Sequence, residues 1–434
     1  MKRVLIIAVT AAATLAASAP ADAQQWSLDS CISYALDHNI EVRQRILAAR
    51  QGELAVREAK DAALPHVNGY ASENFSFGRG LTALNTYANR NTNAFSVGAN
   101  LSLPLFQGLR VVRNIDYSRT SLRALVERSE AIKDDVTVNV IAQYLQALYS
   151  REVLAVARMS LSVSEKELLR REQLLEAGKI PELDLYEAQA QVSRDKLTVV
   201  NAQNDSIIAL LDLANLLNIG SNTEFDILPL QEDSETTIPT IEEVWSNVTI
   251  NNHSLRAASI EREAAIKNVS VAKTGYIPTL SFNVGLGTNY YKTTGYDNES
   301  FATQMKNNFS KSLGFSLNIP IFDAFSTRNS VARAKVQQLN AELDLENTRQ
   351  SLYKTISTAY TQAVAAQSKE ESATAAERST LKAFEAMSVK YDNGRANATE
   401  YEKAKADYLN ALAERVQAHF EKLLRIKILN HYNK

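Results

Sequence analysis

Residues 95–108 read FSVGANLSLPLFQG, an alternation of apolar and small polar residues that ends on Pro104-Leu105-Phe106. Residues 312–324 read SLGFSLNIPIFDA, and Pro320-Ile321-Phe322 stands 216 positions after the first triplet. Gly178 returns as Gly394 with the same offset, so in both halves the glycine follows the proline by 74 residues. Further upstream the offset is 213, matching Asn39 with Asn252, Val42 with Leu255 and Pro65 with Pro278. The three-residue slip falls between Pro65 and Pro104, where a loop absorbs it. The chain is a doubled unit, near 27–219 and 240–432, too long for a solenoid of short repeats.

Glycine and proline are nearly absent from the stretches that follow each triplet. Between 109 and 219 stand only Gly178 and Pro181, and from 321 onward only Gly394. Both residue types disfavour helix interiors. Their absence predicts single long helices over 107–176 and 324–391, the first about 105 Å long at about 1.5 Å per residue. Ile141, Tyr144, Leu145, Leu148 and Tyr149 fall at helical spacing. Gly178 and Gly394 read as tight turns into return helices 181–218 and 396–431. Residues 28–63 and 241–276 are the remaining helical pieces, each ended by proline. Stacked end to end, the leading and return helices of a half have the summed length to cover its long helix, which predicts a helical barrel or bundle.

Nine of the 14 glycines and 16 of the 30 Phe and Tyr residues lie in 65–106 and 275–325, where the period changes to two. Leu280, Phe282, Val284 and Leu286 interleave with Ser281, Asn283, Gly285 and Gly287. Val67–Phe77 follows the same rule, although Glu73 breaks its apolar face. Four strands are expected, about 66–77, 94–105, 279–290 and 309–321, with polar loops at 78–93 and 292–307. Such alternation also fits a soluble antiparallel sheet packed on one side. Strand length, aromatic residues near strand ends and an export signal favour lipid-facing strands. Four strands cannot close a barrel with an open lumen, and bare edges in lipid are costly, so several chains must contribute.

The export signal is residues 1–23: Lys2-Arg3, an apolar run from Val4 to Ala17, and Ala21-Asp22-Ala23 before Gln24. Cys31 is the only cysteine, which excludes a disulfide framework and a thiolate cluster. A lipid-anchored cysteine would be the first mature residue; Cys31 lies eight beyond the expected cut and reads as a buried, inert thiol. With 47 basic and 49 acidic residues, no charge excess points to nucleic acid. No remaining stretch approaches 18 apolar residues, so no transmembrane helix is expected. His38, His66, His253, His419 and His431 are scattered without metal-ligand spacing, and neither a phosphate loop nor a nucleophile elbow occurs. The expectation is no enzyme, no catalytic residues, no cofactor and no bound metal.

The doubled unit, the two hairpins, the Pro-Leu-Phe-Gln-Gly junction at 104–108 with its partner Pro-Ile-Phe-Asp-Ala at 320–324, and the glycine turns together resemble the TolC family of outer-membrane efflux ducts. The resemblance covers essentially the whole mature chain. It implies a mostly α fold with a transmembrane β-hairpin in each half, and a homotrimer whose twelve-stranded barrel continues into a periplasmic α-helical tunnel. It also implies an equatorial band to which the linker 220–239 contributes. Pro65, Pro104, Pro278 and Pro320 would be strand–helix junctions. Members often carry acids at the sixth and ninth positions after the second turn glycine, where they ring the closed aperture. Here those positions are Glu400 and Lys403, and the first-repeat equivalents are Asp184 and Glu187. Lys403 departs from a double acidic ring. All four also fit solvated helix-surface charges. Gly178, Lys179, Gly394 and Arg395 would form the periplasmic tip that meets the adaptor.

The function implied is passive exit of small molecules from an inner-membrane pump and periplasmic adaptor across the outer membrane of a Gram-negative cell. The outer component of a type I protein secretion system shares the same fold. A periplasmic coiled-coil scaffold without a channel is the alternative of another class.

Overall fold

The computed structural model describes residues 24–81, 85–89, 91–220, 225–230 and 238–433. The expected signal peptide and the acidic run at 232–235 lie outside the described residues. The chain opens with β1 (Gln24–Trp26) and α1 (Leu28–His38), whose first turn is capped by Ser27 accepting from the Ser30 N–H. α2 (Ile40–Asp61), β2 (His66–Ser76), a small hairpin β3 (Arg79–Leu81) and β4 (Tyr87–Asn89), and β5 (Thr92–Gln107) follow. α3 (Arg110–Glu176) and α4 (Glu182–Leu216) then have 67 and 35 residues, and β6 (Phe225–Ile227) ends the first half. The second half holds α5 (Ile241–Asn251), α6 (His253–Ala272), a 3-10 turn (Lys273–Tyr276), β7 (Thr279–Thr293), α7 (Phe301–Asn307) and β8 (Ser310–Asn318). It ends with α8 (Ser326–Asp392) and α9 (Ala398–Tyr432), again 67 and 35 residues long.

Three features depart from the sequence expectation. The helical pieces 28–63 and 241–276 are each broken by one extended asparagine, Asn39 (ψ 132) and Asn252 (ψ 121). Asn252 accepts from the Leu255 N–H and so caps α6, while the Asn39 amide donates to the Leu216 carbonyl. Second, the loop at 292–307 contains α7, capped by Ser300 accepting from the Thr303 N–H. Third, Pro104 is not a strand–helix junction, because it lies within β5. β2 pairs only as far as Ser102, so at Pro104 that side of β5 has no β2 partner, and the register with β7 shifts between Pro104 and Phe106. A residue without an N–H is tolerated at such an open edge and irregularity. Pro65 and Pro278 directly precede β2 and β7, and Pro320 lies between β8 and α8.

The chain divides into two compact units. One comprises Glu41–Asp134, Thr240–Thr358 and Tyr432–Lys434. It contains an antiparallel sheet in the order β2-β5-β7-β8, leaving β2 and β8 as edges. Register produces continuous rows: Val67, Leu101, Val284 and Leu313 align on one face, and Asn68, Asn100, Gly285 and Ser312 on the other. Leu313 and Phe315 are 74% and 73% exposed, so the apolar face is bare in the single chain. On the polar face the Tyr70 ring lies across the Gly98–Gly287 pair, and a Cβ on Gly98 would come within 2.8 Å of it. The helices after the sheet begin through paired left-handed residues, Gly108 (φ 59) with Leu109 (φ 63) and Ala324 (φ 51) with Phe325 (φ 62).

The second unit comprises the described residues of Met1–Ile40, Asp135–Pro239 and Ala359–His431. β1 and β6 pair in parallel within it. Tyr144, fully buried, brings its hydroxyl to 3.0 Å from the Trp26 carbonyl and 2.7 Å from that of Leu228, anchoring this ribbon on α3. Arg151 donates to the Ile227 carbonyl at 3.0 Å and pairs with Asp226. Cys31 is wholly buried, and burial pushes its thiol up to about 12, so it stays protonated and unreactive.

Candidate functional site

The turns of the second unit share one backbone solution. Gly178 (φ 68) donates to the Leu175 carbonyl and Lys179 to that of Leu174; Gly394 (φ 69) donates to Tyr391 and Arg395 to Lys390. Both are left-handed caps with crossed hydrogen bonds, which is why glycine stands at these positions. Lys179 and Arg395 are exposed beside them.

Of the expected aperture residues, Glu187, Glu400 and Lys403 are exposed and Asp184 is half-buried. Glu400 also has a local role. Its Oε2 accepts from the Asn397 N–H at 3.0 Å while Asn397 Oδ1 accepts from the Glu400 N–H at 2.9 Å. This reciprocal box satisfies two of the unpaired donors at the start of α9. Asp184 contributes its backbone carbonyl, which accepts from Arg171 Nη1 at 2.9 Å.

Close to these turns lies a polar network that sequence reading missed. Tyr391, near the end of α8, donates to Glu167 on α3 at 2.7 Å, and Arg171 Nε donates to the same oxygen at 3.0 Å. Arg170 reaches Asp392 and stands 4.4 Å from the centroid of the Tyr391 ring. Deeper along α9, buried Lys405 donates to Ser164 at 2.6 Å, and Ser164 donates to Asp195 on α4. Tyr401 stacks on Tyr391 at 4.7 Å. Burial together with the Glu167 and Glu402 charges pushes the Tyr401 hydroxyl up to about 12. Burial would lower the Arg171 pKa, but its hydrogen bond to Glu167 and the neighbouring carboxylates outweigh that and raise it. The result is a clasp between the first-repeat helices α3 and α4 and the second-repeat helices α8 and α9, made of charge-assisted bonds in a partly dry setting.

A signal for this clasp existed in the broken repeat. With the 216-residue offset, Glu167, Arg171 and Asp195 correspond to Ala383, Met387 and Ala411, and Tyr391 corresponds to Leu175. At each of these four positions the residue is charged or hydroxylated in one repeat and apolar in the other.

Among the described residues, no group of three or more His, Cys, Asp or Glu is placed to hold a metal, and no helix is long and apolar enough to cross a membrane. Residues 31–219 and 244–423 match the family model described as outer membrane efflux protein. The chain is 25% identical over 309 residues to outer membrane protein TolC of Vibrio cholerae, covering 70% of this chain and 66% of that protein. It is 23% identical over 387 residues to outer membrane protein TolC of Escherichia coli, covering 85% and 74%. The match to protein CyaE of Bordetella pertussis, 26% identical, covers 49% of this chain and spans 44% of that relative. Among solved structures, a membrane protein from Pseudomonas aeruginosa superposes with TM-score 0.78 at 19% identity over 94% of this chain and 90% of that one. The open state of the Neisseria gonorrhoeae MtrE channel superposes with TM-score 0.73 at 18% identity over 94% and 88%. A duplicated, mostly helical chain with an amphipathic four-stranded sheet, matched by this family in both repeats, belongs to the outer membrane efflux protein family and is TolC-like.

Proposed function

We propose that three copies of this chain form a passive exit duct, a twelve-stranded barrel in the outer membrane joined to a helical tunnel in the periplasm. The observation that carries this is the sheet: one apolar face bare, and the β2 and β8 edges without strand partners among the described residues. Bare edges are costly in water and more so in lipid, and a lone apolar face is unstable in water; closure with neighbouring copies pairs the edges and lipid covers the face. An exposed stripe on α4, Leu197, Val200, Ile207, Ile208 and Leu211, supports packing between copies.

In this reading 24–219 and 240–434 act as the two structural repeats and 220–239 as the equatorial linker. Glu400, with Asp184 and Glu187, gives the closed mouth a negative field that draws cations, while Lys403 offsets part of it. Exposed Lys179 and Arg395 face a periplasmic adaptor, and an inner-membrane transporter supplies the energy, since a duct has no site for fuel. The substrates are small molecules. Light scattering in detergent and planar-bilayer conductance test the proposal together. A trimer that conducts is expected; a water-soluble monomer that leaves bilayers unaltered overturns it.

A further inference from the structure

The two edge strands each carry one charged residue on the apolar face. On β2 it is Glu73, opposite Phe95; on β8 it is Lys311, opposite Leu286. One Glu73 oxygen accepts from Asn93 at 3.0 Å, and the Lys311 ammonium stands 5.6 Å from the Phe309 ring. Lys292 lies on the same face opposite Asn93, two strands from Glu73. A lone charge on a lipid-facing surface is strongly disfavoured unless it is paired. Opposite charges on the two edges are complementary when β8 of one copy meets β2 of the next.

We propose that Lys311 of one copy pairs with Glu73 of the next across the β8–β2 seam, directly or on the diagonal, and thereby sets the register in which the chains close. The proposal rests on the trimeric reading above. Following hydrogen-bonded partners across the sheet leads from His66 to Ser102, Asn283 and Gly314. If Lys311 stands opposite Glu73, Gly314 stands opposite Tyr70 of the next copy, an advance of four residues over four strands. At about 3.4 Å per residue and about 4.8 Å between strands, that is a tilt of about 35°. If Lys311 stands opposite Phe75, with Glu73 on the diagonal, the advance is six residues and the tilt about 47°. The next slips in either direction give about 20° and about 55°, outside the roughly 35–45° of membrane barrels. Lys311 therefore neighbours Glu73 in both registers that bring the tilt near this range. In the direct register all nine residues of β8 find partners in β2, and Phe315 falls opposite Gly69.

The test combines a cross-linking ladder with a charge-reversal cycle. In a Cys31→Ala background, Ser312→Cys is combined in turn with Asn68→Cys, Tyr70→Cys, Ser72→Cys or Asn74→Cys, and the oxidised trimers are separated under denaturing conditions. Cross-linking strongest at position 72 or 74 is expected; a maximum at 68 or 70, or trimers that cross-link at none of the four, overturns the register. Lys311→Glu and Glu73→Lys should each lower the trimer fraction in intermediate denaturant about tenfold, and the double reversal should restore it. Losses that add in the double variant overturn the pair. A protein monomeric in detergent removes the trimer itself, an outcome distinct from a trimer closed in another register.

Discussion

The Tyr391 hydroxyl donates to Glu167 at 2.7 Å across 224 positions of sequence, joining the ends of the two longest helices. Beside it, Arg170 reaches Asp392 from the same helix as Glu167. In the duct proposed above, these two charge-assisted ties at one end of four helices would hold a closed conformation shut. Tyr391→Phe removes one such tie, worth about 1.5–3 kcal/mol, and Arg170→Glu reverses the other. The double variant should raise single-channel conductance in planar bilayers while trimer yield stays unchanged. Unaltered conductance would assign these bonds to helix packing alone.

Glu400 separates charge from structure in a single substitution. Glutamine retains the acceptor that the Asn397 N–H uses, so Glu400→Gln keeps the box at the start of α9. Cation selectivity, measured at low salt where screening is least, should fall with no change in melting temperature. Lost stability with unchanged selectivity would reduce Glu400 to its cap.

The faces of the sheet should respond oppositely to the same change. Leu101→Arg, in the row Val67, Leu101, Val284 and Leu313, should cost about 2–4 kcal/mol if that row lies near the bilayer midplane. Asn100→Arg should fold and alter conductance instead. Refolding titrations into lipid vesicles measure the first effect, and equal damage at both positions would indicate a sheet packed on both faces.

Glu370 gives the helical unit a pH dependence. Burial alone would raise its carboxyl, but hydrogen bonds from Lys422 and His419 outweigh burial and leave the pKa below its ordinary 4.5. A depressed folded value means the contribution is complete above the unfolded pKa and is lost as pH falls through the folded one. The stability gap between the native protein and Glu370→Gln should be constant near neutrality and close below about pH 4. Thermal melts across that range provide the check.

Two glycines should fail for different reasons. Nothing lies within 4 Å of a Cβ built on Gly178, so Gly178→Ala should cost only the left-handed backbone, about 1–2 kcal/mol. A Cβ on Gly98 would stand 2.5 Å from the Leu286 carbonyl and 2.8 Å from the Tyr70 ring, so Gly98→Ala must displace the sheet itself. Denaturant melts should rank Gly98→Ala as clearly the more damaging.

What the sequence revealed and what it concealed follow the range of the forces involved. Strand faces and long helices are legible because their periods are local and because glycine and proline mark their limits. Asn39 and Asn252 were passed over because asparagine, unlike proline, permits a helix and breaks it only when its amide finds a better partner, such as the Leu216 carbonyl. Pro104 read as an end of strand, whereas the unmatched length of β2 and β5 decided its place. The clasp was hidden for another reason: Lys405 and Ser164 stand 241 positions apart, and no local pattern announces such a meeting.

The joints at 108–109 and 324–325 also carry a history. Leu109 and Phe325 occupy a conformation uncomfortable for any residue with a Cβ, at positions made equivalent by the 216-residue offset. A strained joint present in both halves is inherited more simply than invented twice, which places it in an ancestor of half the length. If three of these chains close one barrel, as proposed above, such an ancestor with one hairpin would need six copies to supply the same strands. Fusion halved the number of chains that must find one another and released the two copies from identity. Glu167, Arg171, Asp195 and Tyr391 could then arise in one half without appearing in the other, which lets the helices of the two repeats fasten to each other through unlike partners.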